Sequence, residues 1–105
     1  MAVHVLPEAR EDLREAVRYY RCIRPAAVGR LLAARVLAAF RDAARSIAEA
    51  PFARPEHPDI PGGRFVQMDP FPYLVFYAVE TAHVVIVAVE HARRDYVVRI
   101  TKRLT

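Results

Sequence analysis

The sequence predicts an α+β domain in two layers: a long α-helical hairpin packed on an antiparallel β-sheet, with a short N-terminal strand at the sheet edge. Three observations predict it. Apolar residues recur at helical spacing from Pro7 to Ala50, with one break at Arg24-Pro25. The stretch "PFARPEHPDIPGG", residues 51–63, holds four prolines and two glycines, too punctuated for a regular element. After Gly63 the apolar runs shorten to strand length. A chain of 105 residues has room for one core, so residues 1–105 are expected to form a single domain.

Each element has a local reason. Val3 to Leu6 reads as a short strand. Pro7 then suits the first turn of a helix, and Glu8, Glu11 and Asp12 favour the positive end of its dipole. Leu13, Ala16, Val17 and Tyr20 form one apolar face of a helix expected to reach about Ile23, with Arg10, Arg14, Arg18 and Arg21 on the other faces. The residue before a proline is pushed out of the helical region, and proline cannot donate into a continuing helix, so the chain turns at Arg24-Pro25. Residues 26–50 are rich in good helix formers, and Leu32, Val36, Phe40, Ala43 and Ile47 line one face up to Pro51.

Beyond the Pro-rich connection, Arg64–Met68, Tyr73–Glu80 and Val84–Glu90 read as three strands joined by "DPFP" and "TAH", links short enough for an antiparallel meander. The last two carry apolar residues on both faces, so both faces need cover. The hairpin covers one. The C-terminal segment or another chain, a homodimer partner included, is expected on the other.

Composition narrows the function. An apolar fraction of 54% with 27% charged residues belongs to a folded protein. No run has the length of a signal-peptide core or a bilayer span, so the expectation is a cytoplasmic protein without membrane contact. Cys22 is the sole cysteine, which excludes a disulfide framework or a paired-cysteine metal site. The net charge of +4 divides into +3 over residues 1–50, −3 over 51–92 and +4 over 93–105. A basic end on an acidic sheet region points to an anionic partner. Of 16 basic residues only Lys102 is lysine.

No Gly-rich phosphate loop, GxSxG elbow or HExxH occurs. His57 and Asp59 lack a third ligand nearby and read as a solvated loop, and His4 and His83 as surface residues, so neither metal nor cofactor is expected. What remains is "VVIVAVEHARRDYVVRI", residues 84–100, where an apolar strand runs into Glu90, His91, Arg93, Arg94, Asp95 and Tyr96. Strand alternation puts Glu90 and His91 on opposite faces, and two arginines follow that can grip phosphate or carboxylate bidentately. Arg64 is expected near the same sheet end. The competing reading pairs Arg93 and Arg94 with Glu90 and Asp95 in a solvated strand end.

The pieces "LPEAREDLREAVRYY", "PYLVFYAVE" and "VVIVAVEHARRD", in this order around a Pro-rich connection, resemble the RelE/ParE superfamily of type II toxin–antitoxin toxins over nearly the whole chain. The resemblance implies a toxin that inhibits growth and serves plasmid stabilisation. It also implies a cognate antitoxin that lays a helix and an extended segment across the hairpin and sheet.

Two activities occur within the superfamily. RelE-like members cleave messenger RNA on the ribosome and resemble one another in carrying lysines on the early meander strand and an arginine before the "L-V-Y" of the next. Here "RFVQM" has no lysine, and Leu74 stands at the position of that arginine. RNA cleavage needs a base, an acid and cationic support for the phosphate. Glu90, His91 and Tyr96 are available for proton transfer and Arg93 or Arg94 for the charge, a thin set. The long hairpin and "PYLVFY" lean to the ParE-like branch, which inhibits DNA gyrase by binding. Arg64, His91, Arg93, Arg94 and Tyr96 are then the expected target-binding residues. A ribosome-dependent endoribonuclease and a stand-alone nucleic-acid-binding module stay open as alternatives.

Overall fold

The computed structural model describes all residues, 1–105. Strand β1 (Ala2–Val5) leads into helices α1 (Pro7–Arg21) and α2 (Ala26–Glu49). Strands β2 (Arg64–Gln67), β3 (Tyr73–Val79) and β4 (His83–His91) follow, and helix α3 (Val97–Leu104) ends the chain. The sheet order is β1-β4-β3-β2. The meander is antiparallel as expected, while β1 joins the β4 edge in parallel, which makes the four-stranded sheet mixed. No helix is long and apolar enough to cross a membrane.

The hairpin turns tightly because α1 and α2 touch through backbone. A Cβ placed on Gly29 would lie 2.5 Å from the Ile23 carbonyl oxygen and 2.6 Å from that of Arg21, so no larger residue fits without moving the chain. Alanines at 9, 16, 33, 39 and 43 continue this close packing, and with Val36 and Ile47 they bury the sheet face that carries Val75, Tyr77, Val84, Ile86 and Val89. The fully buried Tyr77 keeps its hydroxyl satisfied by donating to the Pro51 carbonyl at 2.8 Å.

A β-bulge interrupts β3 and β4: Tyr77 pairs with Ile86 but Phe76 pairs with Ala88, which leaves Val87 as the extra residue. Val84 and Ile86 face the hairpin before it, and Val89 after it, while Val87 and Ala88 both turn to the second face. One residue of slip reverses the faces of everything that follows. It puts Glu90 under the second face and His91 on the hairpin side.

That second face carries its own core of Ile60, Leu74, Phe76, Val87, Ala88 and Ile100. Ile100 comes from α3 and Ile60 from the Pro-rich connection. The segment after residue 96, read from sequence only as a basic end able to cover this face, is a helix with one apolar stripe. It supplies the cover that the two-sided strands require, so this face gives no reason to invoke a homodimer.

Candidate functional site

The end of β4 and helix α1 enclose a cleft of about 250 Å³ lined by Asp12, Glu15, Ala16, Tyr19, Tyr73, Val89, Glu90, His91 and Arg94. Asp12, Glu15, Ala16 and Tyr19 recur at helical spacing and present one face of α1 to it. The other wall is the strand end. His91 is opposite Tyr73 in the register, and their rings meet edge to face at 5.4 Å. Tyr20 continues the aromatic contact to Tyr73 and Phe71. Burial holds the Tyr73 phenol above its usual pKa, with Arg94 near enough to pull it partly back.

The turn beyond β4 is fastened by His91. Its carbonyl accepts from the Arg94 N–H at 3.0 Å and its Nδ1 from the Arg93 N–H at 3.1 Å, while the Ala92 N–H donates to the Pro72 carbonyl at 2.9 Å. The backbone carrying both arginines is therefore pinned at three points. Their side chains are exposed and enter no ion pair. The solvated pairing with Glu90 and Asp95 does not form.

Glu90 is taken by α3 instead. It is 2% exposed, its Oε1 accepts from Arg99 at 3.0 Å, and its Oε2 has no partner. Burial pushes its pKa up, against the opposing pull of Arg99. Asp12 accepts from Arg103 at 2.6 Å and from the Val89 N–H at 3.1 Å, and Arg103 also donates to the Val87 carbonyl. The Asp12 contact raises the Arg103 pKa further.

Of the residues predicted from sequence, His91, Arg93 and Arg94 come together. Arg64 and Tyr96 do not join them. Arg64 pairs with Tyr77, four residues along β3 from the His91–Tyr73 row, about 13 Å away. The start of β2 lies toward the start of β4 because two antiparallel reversals restore the direction. Arg64 donates to the Arg54 carbonyl and lies over the Phe52 ring. Tyr96 sits on the second face, with its ring 4.8 Å from Phe76 and its hydroxyl 3.4 Å from His57 Nε2. His57 Nδ1 accepts the Asp59 N–H, so this histidine is tied into the loop.

Sequence reasoning missed Asp12, Glu15, Tyr19 and Tyr73. The i, i+3, i+7 spacing of the first three was the signal that one helix face carried them. It missed Arg99 and Arg103 because the tail was not read as a helix.

The model of the ParE toxin of type II toxin–antitoxin systems (parDE) matches residues 3–96. Among solved structures, the chain is similar to one from the chromosomal ParDE toxin–antitoxin system of P. aeruginosa. That likeness has a TM-score of 0.75 and 15% identity, and covers 89% of this chain and 97% of the other. No curated protein sequence matches. A likeness at that identity speaks to the fold, whereas the family model spans strand, hairpin, meander and the turn that holds Arg93 and Arg94. On that match the chain belongs to the ParE toxin family of type II toxin–antitoxin systems.

Proposed function

We infer that this ParE-family toxin arrests growth by binding DNA gyrase through the turn beyond β4, and that a cognate antitoxin neutralises it. The observation that carries the reading is the pair Arg93 and Arg94, exposed and unpaired on a turn pinned by His91. Holding two guanidinium groups in place before contact lowers the ordering cost of binding. Phosphoryl transfer is supported less well. The cleft beside the turn has three carboxylates and one permanent cation, Arg94, on its lining, the reverse of the balance that stabilises a pentavalent phosphate. In the test, purified protein is added to a gyrase supercoiling reaction. Dose-dependent loss of supercoiling supports the reading, and full activity with excess protein overturns it.

The antitoxin reading rests on another surface. A groove of about 540 Å³ between α1, α2 and β1 has Val5, Leu13, Val17, Leu37 and Phe40 on its floor, with Arg10, Arg14, Arg18 and Arg21 along it. An apolar floor with a basic rim fits an amphipathic, acidic helix. The second sheet face, already under α3, is not where that helix would dock.

A further inference from the structure

The arginines of α3 and Arg94 face the same carboxylates from two sides. Glu90 and Asp12 both line the cleft, and both are taken from the far side, by Arg99 at 3.0 Å and Arg103 at 2.6 Å. Arg94 lies on the same lining, acts electrostatically on Glu90, and forms no ion pair with it. The Oε2 of Glu90 is buried and unpartnered, so a site for one more donor exists already. Without Arg99 this buried carboxylate would have to take up a proton or recruit another cation. On this lining that cation is Arg94.

We propose that Arg99 and Arg103 are positioning residues for target binding: by occupying Glu90 and Asp12, they leave Arg94, on the same cleft lining, unpaired and exposed. The inference rests on the reading of Arg93 and Arg94 as the binding surface, and it adds that α3 sets how much of that surface is available. Because the pairs link α3 to both α1 and β4, they would hold this relation as long as α3 is docked. The Arg99–Glu90 pair is the one to test. Asp12 also holds a backbone N–H, and changing it would disturb the strand itself.

The experiment compares wild type, Arg99→Gln, and Arg99→Gln/Glu90→Gln by two readouts. One is inhibition of gyrase supercoiling. The other is the ¹⁵N Nε–Hε resonance of Arg94, which reports ion pairing whatever the target is. Arg99→Gln is expected to weaken inhibition by about tenfold and to move the Arg94 resonance to a paired, slowly exchanging position. Removing the Glu90 charge in the double variant should return both to within about twofold of wild type. Inhibition and resonance unchanged in Arg99→Gln would overturn the proposal. So would a loss that the double variant fails to restore, since Arg99 would then act by packing alone. If wild type leaves gyrase active, the gyrase reading fails, and the Arg94 resonance decides this inference by itself.

Discussion

Arg103 of the last helix reaches Asp12 of the first, its Nη1 2.6 Å from Oδ2, although the two helices pack on opposite faces of the sheet. The contact is possible because β1 is short. Its pairing with β4 ends at Val5 opposite Ile86, and the Leu6 N–H makes the last bond to the Ile86 carbonyl. Beyond that point β4 has no neighbour on this side. Asp12 takes the Val89 N–H and Arg103 gives to the Val87 carbonyl, so two side chains do what a longer β1 would have done, at the bulge.

Replacing Asp12 by alanine removes one partner and strands two others, the Arg103 guanidinium and the Val89 N–H, in a site where the ion pair is only 15% and 11% exposed. A loss of about 3 kcal/mol is expected on the scale for breaking largely buried pairs. Urea unfolding followed by circular dichroism checks it. The midpoint should fall with an unchanged slope.

Gly29→Ala tests the hairpin contact. The new Cβ would meet backbone oxygens at 2.5 and 2.6 Å, which cannot rotate away, so α1 and α2 must separate. The cost is expected at about 2 to 3 kcal/mol, despite alanine's better helix propensity. Thermal unfolding of the variant should start well below that of wild type.

Stability should also carry the mark of Glu90. Its folded pKa is raised above the ordinary 4.5 because burial disfavours the charged form, so between those two pH values the folded state binds more protons than the unfolded. The contribution of this group therefore falls as pH rises through that interval and is recovered on acidification. In Glu90→Gln the slope disappears. Denaturation midpoints of both proteins from pH 4.5 upward should converge at the acid end and separate toward neutral pH, with the variant the more stable.

Much of this architecture was legible from residue pattern. The break at Arg24-Pro25, the prolines of 51–63 and the apolar runs after Gly63 placed the hairpin and the meander to within a residue or two. Two things were not. Alternation cannot reveal a bulge, since Val87 and Ala88 look like any two strand residues, yet that slip decides which wall receives Glu90 and which receives His91. The stripe Ile100 and Leu104 is too short to announce a helix among five basic residues, so α3 and its arginines went unread. The site was accordingly half visible. The residues of the turn were legible, whereas Arg64 lies toward the opposite end of the sheet, Tyr96 packs on the second face, and the α1 wall was not foreseen.

The hairpin groove yields a prediction about the partner. Arg10 and Arg21 are exposed and unpaired on its rim, whereas Arg14 and Arg18 share Glu11. Reversing both to glutamate should weaken antitoxin binding by at least about tenfold, steeply so at low salt. Circular dichroism should be unchanged. Titration calorimetry at two salt concentrations checks it.

Whether Arg93 and Arg94 form the target-binding surface is decided by the activity of the Arg93→Ala/Arg94→Ala protein beside wild type. Both are induced in cells and growth is followed, and both are added to gyrase supercoiling and ribosome-dependent messenger-cleavage reactions. As exposed residues outside either core, the arginines can be removed with stability changed by no more than about 0.5 kcal/mol. Wild type is expected to arrest growth and inhibit gyrase, and the double variant to do neither, with antitoxin binding intact and no messenger cleavage by either. Undiminished growth arrest by the double variant would contradict this reading, and so would strong messenger cleavage by a wild-type protein that leaves gyrase untouched.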